Sequence, residues 1–187
     1  MRIVGGELSG RPLAGPRSNA IRPTADRLRQ TLFDILAHGY GDPVAGARVL
    51  DLFAGTGALG LEALSRGATY ALFVEEDVEA RGLIRRNIES FGLTGRTRIF
   101  RRDATRLGPA GTVQPFGLVF ADPPYGKGLG EAALAAAQAG DWLTASALLV
   151  LEEDARVELA PIAGLQAVES RVIGDSKITF LRPDSPG

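Results

Sequence analysis

Residues 49–60 read Val-Leu-Asp-Leu-Phe-Ala-Gly-Thr-Gly-Ala-Leu-Gly, an apolar run that passes into a glycine turn and on into a helix-forming segment. A short continuous apolar run of this kind marks a strand buried on both faces, which occurs in parallel sheets covered by helices. Gly55, Gly57 and Gly60 stand at the G-x-G-x-x-G spacing, where missing side chains permit a tight turn, close approach of backbone to a ligand and close packing of helix on strand. The stretch therefore predicts an α/β fold with a small-molecule site at the carboxyl end of its first strand.

Two acids define what that site would hold. Glu75 ends the next apolar run, 20 residues after Gly55, and a carboxylate there suits the hydroxyls of a ribose. Asp51 stands directly before the turn. A dinucleotide would set its diphosphate against the helix N-terminus, and a carboxylate beside that turn repels a diphosphate. It favours a ligand carrying an ammonium or sulfonium cation, as S-adenosylmethionine does. A third acid, Asp103, follows a short strand predicted at 97–100. It is expected either to accept from an exocyclic amino group at an adenine edge or to cap the segment after it.

A second signature lies downstream. The apolar strand predicted at 116–121 delivers Asp122-Pro123-Pro124-Tyr125 at its carboxyl end, where open α/β sheets bind their ligands. The chemistry it suits is alkylation of an exocyclic amino group on a purine, a poor nucleophile because its lone pair is delocalised into the ring. Asp122 and the Pro123 carbonyl can accept the two N–H hydrogens, which favours a pyramidal nitrogen and aims its lone pair. Proline is rigid and brings no competing N–H. Tyr125 can stack on the base. No metal is needed for this, and no ligand cluster for one is seen.

The remaining elements follow the same alternation of strand and helix. A helix begins near Thr24, expected as its N-cap, with Leu28, Leu32, Ile35 and Leu36 on one apolar face; Arg27 and Arg29 project elsewhere. Helices are predicted at 58–66, 78–91 and 129–140 and strands at 70–74 and 147–151, the last ending in Glu152, Glu153 and Asp154, read as a solvated strand end. Strands at 166–173 and 177–181 close a hairpin around Gly174-Asp175-Ser176. His38 and Tyr40 receive no role, and Trp142 is assigned to the core. Seven strands alternating with helices are too much for a small motif, and 187 residues suffice for one well-buried core.

Charge separates along the chain. Residues 1–106 hold 16 basic against 12 acidic side chains, and residues 107–187 hold 5 against 10. Residues 1–23 form a glycine- and proline-rich basic arm with Arg2, Arg11, Arg17 and Arg22 and a single acid, Glu7. With Arg27, these arginines are the expected contacts for nucleic-acid phosphates, because screening lets a basic face act although the net charge is −1. The absence of cysteine excludes disulfides and thiolate metal sites. A signal-type apolar core and any run of membrane length are missing from the sequence, so a soluble, cytoplasmic, monomeric protein is expected, with neither membrane nor metal among its partners.

The pattern Asp-x-Phe-Ala-Gly-Thr-Gly resembles the first motif of the Rossmann-like methyltransferases. The wider set resembles the RsmD-type 16S ribosomal RNA guanine-N2 methyltransferases over nearly the full length: Arg2-Ile3-Val4-Gly5-Gly6, Arg22-Pro23-Thr24-Ala25-Asp26-Arg27 leading to Thr31-Leu32-Phe33, the run 51–66 ending Gly-Leu-Glu-Ala-Leu-Ser-Arg, and Asp122-Pro-Pro-Tyr followed by Gly128-Leu129. The resemblance implies a seven-stranded, mostly parallel sheet with one antiparallel strand and helices on both faces, spanning 24–187 behind the arm at 1–23. It also implies methyl transfer from S-adenosylmethionine, leaving S-adenosylhomocysteine, to N2 of one guanine in a hairpin loop of 16S rRNA, preferably in the assembled small subunit. By motif, Asp51, Phe53, Gly55, Gly57, Glu75 and Asp103 would bind the cofactor, and Asp122, Pro123 and Tyr125 would serve the guanine. The alternatives are an adenine-N6 methyltransferase acting on DNA or RNA, which would use the same second motif, a silent nucleotide-binding module, and a NAD-dependent enzyme, which Asp51 disfavours.

Overall fold

The computed structural model describes residues 1–16 and 23–185. Five strands run parallel: β1 (Arg48–Leu52), β2 (Tyr70–Val74), β3 (Thr97–Phe100), β4 (Phe116–Ala121) and β5 (Leu143–Asp154). β6 (Leu165–Ile173) and β7 (Ser176–Pro183) form a hairpin, and β7 inserts antiparallel between β5 and β6, giving the order β3-β2-β1-β4-β5-β7-β6. The expected seven-stranded sheet with one antiparallel strand is borne out.

Alternation along each strand sends successive side chains to opposite faces, and both faces are apolar. Val49, Phe73, Leu118, Phe120, Leu148 and Val150 share one buried cluster with residues of α1 (Pro23–Gly39), α2 (Ala58–Ser65) and α3 (Val78–Ser90). Leu50, Leu52, Leu72, Val74, Val119 and Leu149 share the other with α4 (Leu129–Ala139) and Trp142. This explains why the central strands read as unbroken apolar runs: neither face meets water. Trp142 is fully buried, as expected, and its indole N–H donates to the Gly108 carbonyl at 2.8 Å.

Three local expectations are corrected. α1 opens at Pro23, so Thr24 lies inside the helix instead of capping it; proline at the first helical position loses no hydrogen bond and has its φ preset. β5 extends well beyond 147–151, because its last three residues find partners on β7, with Glu152 opposite Ile178, Glu153 opposite Lys177 and Asp154 opposite Ser176. The acid run is therefore part of the sheet. Residues 1–13 fold back on themselves, with Ile3 N–H donating to Arg11 and Leu13 N–H to Met1, and with Ile3 and Leu13 buried against the helices of the first face. Arg17 and Arg22 lie outside the described residues.

Candidate active site

The strand order reverses between β1 and β4, and the carboxyl ends of those strands open into a cavity of about 1050 Å³. This is the place where a doubly wound sheet leaves room for a ligand, since the helices that follow β1 and β4 turn away to opposite faces. Asp51, Phe53, Gly55, Glu75, Asp103, Asp122, Pro123 and Tyr125 all line that one cavity, so residues as far apart in sequence as 51 and 125 meet. Gly57 stands just behind the wall.

The β1 side is built from backbone. Phe53, immediately after the strand, holds φ at 56°, a left-handed conformation costing a non-glycine residue roughly 1–2 kcal/mol. Gly57 follows with φ 81° as the N-cap of α2. A side chain at Gly57 would meet Phe73 and Ile84 at 3.3–3.4 Å, so bulk there strikes the core before it strikes a ligand. Gly60 is needed for a different reason: its Cβ would come within 2.5 Å of the Phe73 ring. Close packing of α2 on the sheet in turn lets the Gly60 N–H reach Asp51 Oδ2 at 3.0 Å.

The acids of this side are held by main-chain donors. Glu75 accepts from the Gly55 N–H at 2.8 Å and the Asp77 N–H at 2.9 Å, one on each oxygen. Each oxygen keeps a second acceptor direction for hydroxyls. Asp103 fulfils the capping expectation, its Oδ1 accepting from the Thr105 N–H at 2.9 Å and hydroxyl at 2.7 Å at the start of a short 3₁₀ turn, Ala104–Arg106. Those bonds lower its pKa. Asp51 differs: it is 1% exposed, and burial pushes its pKa up to about 8, with the Gly60 N–H lowering it and the Glu75 charge raising it. Its charge is therefore conditional, and a cation in the cavity would draw it out.

The β4 side is built from side chains. Asp122 and Glu152 each lie one residue beyond a register pair, Ala121 with Leu151, so they emerge side by side on the same face. The Asp122 carboxyl is open to the cavity but ringed by protein and by Glu152, Asp51 and Glu153. That burial, then the repulsion and hydrogen bonding of Glu152, raise its pKa well above the usual carboxylate range. Tyr125, 43% exposed, donates its hydroxyl to Glu152 Oε1 at 2.7 Å and lies 3.2 Å from Ser176 Oγ. Ser176 donates to the same Glu152 oxygen at 3.2 Å. Burial, with the Glu152 carboxylate, pushes the Tyr125 phenol above its ordinary range, against the lowering contact of Ser176. Behind them Glu153, also buried, accepts from the Gly126 and Asp154 N–H groups at 3.0 and 2.8 Å and so ties the segment after the Asp-Pro-Pro-Tyr motif to β5.

Glu152 is the site residue that sequence reasoning missed. The signal was present: Asp51, Glu75, Asp122 and Glu152 all follow apolar runs in the same way, and in a parallel sheet such ends converge. Arg29 is a second correction. Instead of projecting away it is 5% exposed, bonded to Glu62 at 3.1 Å and to Asp26 at 2.9 Å, and it lines the cavity. Among the expected RNA contacts, Arg2, Arg11 and Arg27 are exposed, with Arg11 donating to the Ser90 carbonyl at 3.0 Å and stacking over Phe91. The first residues also wall the cavity, through Met1, Leu13, Gly15 and Pro16. Among the described residues no cluster of three or more His, Cys, Asp or Glu side chains is arranged to hold a metal, and no helix is long and apolar enough to cross a membrane.

The family described as conserved hypothetical protein 95 matches residues 1–182. The Escherichia coli (strain K12) protein named ribosomal RNA small subunit methyltransferase D is 39% identical over 155 residues, covering 82% of this chain and 75% of that one. The chain belongs to the RsmD family of methyltransferases. A solved structure, the putative methyltransferase YhhF from Escherichia coli, is similar to this chain with a TM-score of 0.82 at 32% identity, covering 100% of this chain and 99% of its own. The Thermus thermophilus 16S rRNA guanine-N2 methyltransferase RsmC, solved in complex with AdoMet and guanosine, has a TM-score of 0.65 at 21% identity, covering 90% of this chain and 45% of that one. At that identity it shares the fold alone. Membership in the RsmD family bears out the resemblance drawn from the two motifs.

Proposed function

We propose that this chain transfers a methyl group from S-adenosylmethionine to the exocyclic N2 of a guanine in 16S ribosomal RNA. The observation that carries this is the position of Asp122: an acceptor at the end of β4, in the same cavity as Glu75 and the glycine turn and beside the Glu152 carboxyl. Family membership supports methyl transfer, the name of the 39% identical relative supports ribosomal RNA of the small subunit, and the guanosine in the RsmC complex makes guanine the natural base to test first.

The residues fit the cofactor. Glu75 offers its two free acceptor directions to the ribose hydroxyls, Asp103 lies across the cavity for an adenine amino group, and Asp51 gains a reason to ionise. When bound, S-adenosylmethionine supplies an electrophilic methyl on a sulfonium sulfur. Asp122 and the Pro123 carbonyl then accept the amino hydrogens, holding the nitrogen pyramidal; each charge-assisted bond is worth about 1.5–3 kcal/mol, more where it strengthens in the transition state. Tyr125, fixed by Glu152 and Ser176, covers one face of the base, a stacking contact worth about 1–3 kcal/mol. Its anchored ring limits the approach to one plane, which serves alignment of nucleophile and methyl.

The reading includes a cytoplasmic monomer acting on the assembled small subunit, with the exposed arginines Arg2, Arg11 and Arg27 on phosphates and Arg17 and Arg22 between them in sequence. The test is transfer of radiolabelled methyl to purified small subunits, naked ribosomal RNA and DNA, followed by nucleoside analysis. N2-methylguanosine from small subunits is the expected product. N6-methyladenosine, or label in DNA alone, would replace this reading by its adenine alternative.

A further inference from the structure

The Asp-Pro-Pro-Tyr chemistry accounts for one carboxyl in the cavity, yet two stand side by side there. Glu152 emerges beside Asp122 on the same face of the sheet and lines the same cavity. Its Oε1 is occupied by the Tyr125 hydroxyl at 2.7 Å and the Ser176 hydroxyl at 3.2 Å. These two bonds fix the carboxyl plane, and the remaining polar neighbour on the cavity side is the Asp122 carboxyl, hydrogen-bonded to Glu152, which an arriving base donor would displace. Tyr125 and Glu152 thus form one rigid unit, a ring for the face of a base and an acceptor for its edge.

The edge that such a pair of acceptors matches can be read from base chemistry. Beside the N2 amino group of guanine stands N1–H, a donor; beside the N6 amino group of adenine stands N1 with a lone pair, an acceptor. Two neighbouring carboxyls meet two neighbouring donors in guanine. In adenine the second would face a lone pair, and a buried polar group left unpaired is where hydrogen-bonding sites draw their selectivity.

We propose that Glu152 is a specificity-determining residue that accepts the N1–H of the target base while Asp122 accepts from N2, so that the pair selects guanine over purines whose N1 is an acceptor. The inference rests on the guanine reading above and deepens it. Ser176 and Tyr125 act as positioning residues for Glu152. The crowding of Asp122 by Glu152 agrees with this, since two neighbouring carboxyls gain most when donors arrive to separate them.

The experiment uses small subunits reconstituted with 16S RNA carrying either guanine or 2-aminopurine at the methylated position. 2-Aminopurine keeps the amino group at C2 but has an acceptor at N1. The wild-type protein should methylate guanine at least roughly a hundredfold faster in kcat/KM. In Glu152→Gln the amide oxygen can keep the Tyr125 bond and present its NH₂ to N1, so the preference should shrink at least about tenfold, with 2-aminopurine gaining in absolute rate. Equal wild-type rates on the two substrates would overturn the proposal without recourse to any variant. So would a Glu152→Gln protein that slows on both alike, which is what a role confined to holding Tyr125 predicts. Failure of the guanine reading would look different: unmodified subunits would yield no N2-methylguanosine from the wild type at all.

Discussion

Glu62 on α2 and Asp122 at the end of β4 are acids set into the same protein under opposite conditions. Glu62 is fully buried and receives four N–H donors, from Val4 and Arg29 on one oxygen and from Gly5 and Arg66 on the other, at 2.8–3.1 Å. Asp122 receives no N–H donor among the described residues; it hydrogen-bonds the neighbouring Glu152 carboxyl and is crowded by other carboxyls. Glu62 joins the N-terminal segment, α1 and α2 into one unit: Arg29 also bonds Asp26 and the Arg2 carbonyl, and Arg66 lies over the Phe33 ring. All of its acceptor capacity is spent on the fold. Asp122 holds its capacity in reserve, at a cost in stability, which is what a group that must bind a substrate requires. Burial together with satisfaction of its hydrogen bonds separates the structural acid, Glu62, from the working one, Asp122, which is exposed to the cavity.

The strongest way to break that contrast is to remove each carboxyl and look for the two effects to dissociate. Asp122→Ala should lower single-turnover methyl transfer at saturating cofactor by roughly a thousandfold or more and leave thermal stability unchanged or slightly raised. Asp122→Asn keeps an acceptor of the same shape and should lose only about 1–2 kcal/mol, or roughly tenfold. Because its carboxyl is held above the ordinary range, wild-type activity should rise with pH as Asp122 loses its proton, and the Asn variant should lack that limb. Equal losses in Ala and Asn would mean the carboxyl acts as a proton acceptor and not as an orienting group.

Glu62→Ala should do the reverse. Stranding two guanidinium groups costs about 3–5 kcal/mol, seen as a fall in Tm of about 10 °C for a chain of this size, while the cofactor affinity of the folded fraction stays within about threefold, since Glu62 does not itself line the cavity and meets its wall only through Arg29. A Glu62→Ala protein with wild-type Tm would show that the network contributes little and that the contrast with Asp122 is only one of position.

Asp51 lies between these extremes and sharpens the comparison, since it is buried like Glu62 but has one donor. Its folded pKa, about 8, lies above the unfolded value near 3.8, so its contribution to stability is complete below the unfolded pKa and is lost as pH rises towards 8. In that window the unliganded protein should lose stability by up to about 1.4 kcal/mol per pH unit from this group alone. Asp51→Asn should flatten the dependence, giving a higher Tm than wild type at pH 8 and a smaller difference at pH 5, while S-adenosylmethionine binds it more weakly. Parallel Tm curves for the two proteins would show that Asp51 is already ionised without a ligand.

The smallest expected effect is at the surface. Arg11 is exposed but already held by the Ser90 carbonyl and the Phe91 ring, so Arg11→Ala should weaken binding to the small subunit by no more than about 1 kcal/mol and reduce the salt slope by about one, without changing cofactor affinity. An unchanged slope would remove Arg11 from the RNA-facing surface.

Much of this was legible in the sequence because the relevant signals are local. The apolar runs of β1, β2 and β4 mark strands covered on both faces. The glycine spacing marks the turn, and the acid after each run marks a strand's carboxyl end. Asp51, Glu75 and Asp122 could be picked out in this way, since a parallel sheet brings such ends together whatever lies between them. What the sequence could not decide depends on partners distant in the chain. Glu152 looked like a solvated end because its strand partner on β7, Ile178, and its hydroxyl donors, Tyr125 and Ser176, are 24 or more residues away. Arg29 looked like a surface cation because Glu62, which takes it into the interior, lies on another helix. Glycine turns and strand periodicity are properties of short segments and survive in any context. The state of a charged side chain is set by which donors, acceptors and charges surround it, and only the folded chain determines that.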